Sequence, residues 1–198
     1  SVWLNRAASR MDAKECSDDP LFVELVEALH AINPSANSAY YLGILKDKAG
    51  DSKAALAYYE ESLTLEQDRY RKADILYKIA VKFKKSGLRS KSRSYASKAL
   101  KNRPSMGKAY MLIASLYAAS ANDCGNTQFE KRAVYWLAAT TARKAATVDS
   151  GVKKTALKLA ASYEGRAPSK TDIFTEGRAG ETISFSCWIN NSVTVPQL

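Results

Sequence analysis

One succession of residue types returns along this chain at a nearly constant interval, and that recurrence restricts the fold more than any other feature. Leu42-Gly43, Ile79-Ala80 and Ile113-Ala114 each set a large apolar residue before a small one. Tyr110, Ile113-Ala114 and Tyr117 stand 34 residues beyond Leu76, Ile79-Ala80 and Phe83, and aligning Gly50 with Gly87 gives an offset of 37. A period of this length is the mark of a stacked array, in which each unit buries its apolar face only against its neighbours.

Within a period the pattern is helical. Over 71–85 the residues Ile75, Leu76, Ile79, Ala80 and Phe83 occupy an arc of roughly 140° at about 100° per residue, which predicts an amphipathic helix. Gly87 ends it, a second helix over 90–102 presents Tyr95, Ala96, Ala99 and Leu100, and Pro104 prevents its continuation. Residues 36–49 and 52–66 repeat the plan around Ala49-Gly50-Asp51. Upstream, 2–14 and 20–32 read as a degenerate pair, with a turn over 15–19, Asp19 as N-cap and Pro20 at the first helical position. Downstream, an Asn-Asp-Cys-Gly-Asn turn at 122–126 leads to a longer helix over 129–147, and 152–163 reads as a capping helix.

This pattern resembles the tetratricopeptide repeat, a helical hairpin of about 34 residues. The resemblance implies an all-α, tetratricopeptide-like solenoid over 1–164: a degenerate pair at 1–34, repeats at about 36–67, 71–104 and 106–150, and a capping helix at 152–164. It also implies a non-enzymatic scaffold that holds a partner protein or peptide in a groove lined by the first helix of each repeat. The groove residues it assigns are Asn37, Tyr40, Tyr41, Ile44 and Lys48 in the first regular repeat. In the second they are Asp74, Tyr77, Lys78, Val81, Lys84 and Lys85, and in the third Lys108, Met111, Leu112 and Ser115. Tyrosines, lysines and Met111 together suit an extended acidic and apolar segment. The alternative is that the capping helix or the tail fills this surface. Of the positions with which some family members clamp a terminal carboxylate, only Lys108 is matched, so that clamp is not expected.

Charge is unevenly spread. Residues 1–68 carry a net of −6, residues 69–103 a net of +12 with Asp74 the sole acid, and residues 104–198 a net of +4. Arg71, Lys78, Lys82 and Lys85 form one helix stripe, and Lys91, Arg93, Lys98, Lys101 and Arg103 follow on the next helix. A solvated face is the simpler reading of that stripe. The alternative is a nonspecific binder of nucleic acid or an anionic surface, and without aromatic residues among these charges sequence-specific recognition is not expected.

No phosphate-binding loop, dinucleotide fingerprint or nucleophile motif is present, and His30 is the single imidazole, so neither an enzyme nor a cofactor is expected. Cys16, Cys124 and Cys187 lack metal-site spacing and read most simply as small buried apolar residues; one bridge is open to an exported chain, with its pairing undetermined. No apolar run reaches the roughly 18 residues of a membrane span. The chain begins at Ser1 without an initiator Met or a leader, and reads as part of a longer protein.

Residues 165–198 read as a linker and a β-rich tail. Ile183, Phe185, Cys187 and Ile189 alternate with Thr182, Ser184, Ser186 and Trp188, and Asn190-Asn191 precedes Val193-Thr194-Val195, which predicts a hairpin. A lone hairpin is marginal in water. Ile183, Phe185 and Ile189 are therefore expected against the terminal helices near Leu157 and Tyr163, with Trp188 partly covered. The ending Cys187-Trp188-Ile189 followed by Val-Thr-Val-Pro is similar to the tail of certain tetratricopeptide proteins of the Gram-negative cell envelope. That likeness implies a periplasmic or outer-membrane-associated place in an envelope complex, with the cytoplasm as the alternative.

Overall fold

The computed structural model describes residues 2–14, 16 and 19–198. Helix accounts for 73% of the chain, and the described residues form ten α-helices followed by one two-stranded antiparallel sheet, so the class is all-α with a small β element. None of these helices is long and apolar enough to cross a membrane. The chain divides into two compact units, Ser1–Leu76 and Tyr77–Leu198. The turn expected over 15–19 falls largely outside the described residues.

The first unit holds α1 (Val2–Ala13), α2 (Pro20–Ile32), α3 (Ala36–Lys48), α4 (Ser52–Leu65) and the start of α5 (Arg69–Lys85). Asp19 caps α2 by accepting the Leu21 N–H at 2.9 Å, and Ser35 and Ser38 form a reciprocal capping box on α3. The α3–α4 hairpin closes on Gly43, where a Cβ would stand 2.4 Å from the Tyr59 ring, so only glycine lets that ring lie against the helix backbone. Gly50 turns the chain at φ +81°, a left-handed value that suits glycine. Asp51 then caps α4 through the Ala54 N–H, and the Ser62 hydroxyl donates to the Ala36 carbonyl at 2.6 Å. The core is aromatic: Tyr41 meets Phe22 edge-on at 5.7 Å, and Tyr40 lies 5.6 Å from Tyr41 and 6.0 Å from Tyr59.

The second unit holds the rest of α5, α6 (Arg89–Asn102), α7 (Gly107–Ala118), a 3-10 turn (Ala121–Asp123), α8 (Gln128–Val148), α9 (Lys153–Glu164), α10 (Lys170–Glu176), β1 (Thr182–Phe185) and β2 (Asn191–Thr194). Ala80 and Ala114, the small residues of the repeat, are fully buried, and the Ser92 hydroxyl of α6 donates to the Ala80 carbonyl at 2.7 Å. In α8 the core face is an alanine seam, with Ala138, Ala142 and Ala145 fully buried and Ala156 and Ala160 of α9 buried alongside. Small side chains let α8 and α9 approach closely along this seam, while α7 and the first half of α8 also bury Leu112, Ile113, Leu116, Tyr117, Val134, Tyr135 and Leu137.

The end of the chain differs from its sequence reading in three ways. The stretch read as linker and strand contains α10, started by a capping box between Ser169 and Asp172 and stopped at Gly177; it is short and buries only Ile173, too little for a periodic signal. Strand β1 ends at Phe185, and 186–190 form the turn that Asn190 closes at φ +43°. The sheet packs on α8 through β2; of the residues expected beneath it, Leu157 remains exposed and Tyr163 stacks on Tyr135. Ile183, Phe185, Ile189 and Val195 are buried, and Trp188 is half-buried. The bridge left open by the cysteines joins Cys124 and Cys187 across 63 residues, and Cys16, expected with the others as a small buried residue, is instead exposed with a free thiol.

Candidate functional site

The only imidazole sits in a constellation that resembles a hydrolase triad and lacks its working part. His30 Nδ1 lies 3.0 Å from Ser38 Oγ, and Nε2 lies 3.5 Å from a Glu61 carboxylate oxygen. Ser38, however, is fully buried, and its hydroxyl donates to the Ser35 carbonyl while accepting from the Ser35 N–H. A nucleophile must reach a substrate carbonyl, and this hydroxyl is held by the helix cap. His30 thus joins the end of α2 to α3 and α4, with Tyr58 edge-on to its ring at 6.0 Å.

In the first unit the predicted groove residues separate into two kinds. Tyr40, Tyr41 and Ile44 are core: Tyr41 shares a 2.7 Å hydrogen bond with Ser9 of α1, and burial pushes the phenols of Tyr40 and Tyr41 above their ordinary values. The α1–α2 pair occupies the face they were expected to offer a partner. Asn37 and Lys48 are exposed, and Asp74 is half-buried.

In the second unit the prediction brings residues together across α5 and α7. The Lys108 ammonium stands 4.7 Å from the centroid of the Tyr77 ring, and Lys84 Nζ donates to Ser115 Oγ at 2.8 Å. Both pairs are 31 residues apart, so the two helices run side by side in one register, which sets Val81 level with Leu112. Tyr77, Val81, Met111 and Ser115 are half-buried, Lys78, Lys84, Lys85 and Lys108 are exposed, and Leu112 is core. Met111 packs on the alanines of α8 and α9, and burial raises the Tyr77 phenol. The outcome is a surface of partly sunken aromatic and aliphatic groups among ammonium groups.

The surface continues from Ser115 into a cleft of about 350 Å³ that the sequence reading missed, lined by Asn122, Tyr135, Tyr163 and Arg166. The Arg166 guanidinium lies 4.3 Å from the Tyr135 ring centroid, and the Tyr135 and Tyr163 rings are 6.4 Å apart and nearly parallel. Tyr163 was legible as a face residue of the last helix. Arg166 lies in the segment read as linker, and no local pattern points to it.

Of the basic stripe, Arg71 is an exposed residue of the first unit; in the second unit Lys78 and Lys85 are exposed and Lys82 is half-buried. Among the described residues no group of His, Cys, Asp and Glu side chains is placed to hold a metal ion. No protein-family model and no curated protein matches the chain.

Proposed function

We propose that this chain is a tetratricopeptide-like helical-hairpin solenoid that works as a non-catalytic interaction scaffold, holding an extended acidic and apolar segment of a partner protein. The observation that carries this reading is the lateral pairing of Tyr77 with Lys108 and of Lys84 with Ser115, which gathers the second and third repeats' predicted contact residues on one surface. Ring faces supply area at little entropic cost, and the ammonium groups favour carboxylates over neutral segments. An exported, envelope-associated location belongs to the same reading. It is supported by the Cys124–Cys187 bridge, since disulfides persist in oxidising compartments, and by the likeness of the tail.

The test is selection from a library of acidic, apolar-containing peptides on the full chain. Enriched peptides should lose about tenfold in affinity with Tyr77→Ala or Lys84→Glu and keep it with Lys144→Glu on α8. Tyr41→Ala is unsuited to the purpose, because it opens the core of the first unit. No enrichment, or peptides indifferent to Tyr77 and Lys84, would remove the scaffold reading. DNA binding that survives physiological salt and disappears with Lys78→Glu plus Lys82→Glu would put the nucleic-acid reading in its place.

A further inference from the structure

A second recess of the Tyr77–Leu198 unit shares no lining residue with the α5–α7 surface. It runs along α6 as two adjoining clefts of about 320 and 540 Å³, joined at Ser90 and Trp188. One is lined by Ser94, Ser97, Lys98 and Lys101, the other by Leu88, Arg89 and Lys91, and neither lining contains a carboxylate. Helix α6 itself carries five Lys and Arg residues and no acid, and its Arg89 pairs with Asp123.

Trp188 is held in place before any ligand arrives. Its indole N–H donates to Ser120 Oγ at 3.1 Å, its ring lies 6.1 Å from Tyr117, and its neighbour Cys187 is bonded to Cys124. The Arg93 guanidinium sits 5.9 Å from the Tyr117 ring and 5.8 Å from the Trp188 ring, and donates to the Ile189 carbonyl. Four independent attachments fix one aromatic plate at the junction of the clefts, so binding against it orders little that is not already ordered.

The geometry points to a binding site for an acidic polysaccharide, a uronate-bearing chain whose sugar ring packs on the Trp188 indole while its hydroxyls meet Ser90, Ser94 and Ser97 and its carboxylates meet Lys98 and Lys101. Serine hydroxyls at positions 90, 94 and 97 follow helical spacing along one side of α6 and both donate and accept, as a polyol requires. A single-stranded nucleic acid needs a succession of aromatic plates. Here there is one, because Tyr95 on the same helix is core. The disulfide that anchors the plate fits the exported location proposed above, an oxidising compartment.

Titration of the full chain with oligogalacturonate at physiological salt, followed by calorimetry and tryptophan fluorescence, tests the site. Binding is expected with a change in tryptophan emission, weakened at least about tenfold by Lys98→Glu with Lys101→Glu. Ser94→Ala with Ser97→Ala should weaken it about threefold or more at constant charge, the loss expected for hydroxyl contacts. Circular dichroism should show both variants folded, since Lys98, Lys101 and Ser94 are exposed and Ser97 is half-exposed. Absence of binding would overturn the proposal, as would full affinity in either variant. So would tighter binding of oligodeoxythymidylate or of phosphatidylglycerol vesicles. Because Tyr77→Ala and Lys84→Glu leave this recess intact, its failure and that of the peptide surface are separately visible.

Discussion

The two units close their helices by different means. In Ser1–Leu76 a ring fills a notch: Tyr59 lies against the backbone of Gly43, Tyr40 and Tyr41 pack beside it, and the described residues include no covalent tie. In Tyr77–Leu198 the helices meet along alanines, and the tail is bolted on by Cys124–Cys187, Trp188 and a buried Phe185. An alanine seam buries little apolar area per residue, and the buried tail side chains Ile183, Phe185, Ile189 and Val195 add area that the seam itself lacks. The described residues of the first unit show no such latch, and its α3–α4 hairpin closes where Gly43 admits the Tyr59 ring.

The largest consequence of that contrast is redox. Cys124→Ser with Cys187→Ser should destabilise the second unit by about 4 kcal/mol, the value chain entropy gives for a loop of this length. Hydrogen exchange should accelerate across α8 and the sheet while the amides of 2–65 keep their rates; equal acceleration in both units would break the comparison. Next is Phe185→Ala, which empties a site only 2% exposed and should cost about 3 kcal/mol, read as a lower melting temperature and faster exchange in the second unit alone. An unchanged melting curve would mean that the tail is not core.

The matching change in the first unit is Gly43→Ala. The added methyl group meets the Tyr59 ring, and the cost should be about 2 kcal/mol after the gain in helix propensity. Tyr59→Leu in the same chain should recover part of it, since a smaller side chain leaves room for the methyl. A double-mutant cycle without coupling would show that the notch is not what closes α3 on α4.

What the sequence disclosed follows from the range of each signal. The period of Ile75, Leu76, Ile79 and Phe83, the turn at Gly87 and the alternation through Ile183 and Phe185 are local; α5 and the α5–α6 turn stand where they predict, and β1 begins where predicted but stops at Phe185. The pairing of Cys124 with Cys187 is not local: it depends on the tail reaching α8, which no spacing expresses. Tyr40 and Tyr41 look the same in sequence whether they face a partner or the α1–α2 pair, and only tertiary packing decides between them. Tyr77 lies beside Lys108 and Lys84 beside Ser115, a neighbourhood that follows once two helices align at a constant offset of 31 residues. Asn122, Tyr135 and Arg166 were missed because they come from a turn, a second helix and a segment beyond the last repeat, where register no longer applies.

The smallest expected effect concerns the joint between α8 and the tail. The Thr127 hydroxyl accepts the Glu130 N–H at 3.1 Å, and Glu130 in return accepts the Asn126 N–H at 2.8 Å. The other Glu130 oxygen accepts from Arg178 at 3.3 Å, and Arg178 also donates to Glu181 at 2.8 Å, just before β1. The Asn126 N–H, with Arg178 and the Thr127 backbone behind it, holds the Glu130 carboxyl below its ordinary value of 4.5 against the opposing pull of burial. A carboxyl whose folded value lies below its unfolded one contributes its full stabilisation above the unfolded value, and loses it as pH falls through the folded value. Glu130→Gln keeps the acceptor and removes the charge, so at neutral pH it should cost about 1 kcal/mol. The gap to wild type should stay constant down to about pH 4.5 and then close, because the protonated wild-type side chain is itself neutral. Hydrogen exchange of α8 and the sheet should report this closing while the amides of α3 and α4 show no difference between the two proteins. A gap that persists undiminished into acid would mean that Glu130 acts through its shape in the helix cap and not through its charge toward Arg178, and the tail would then be held without that ion pair.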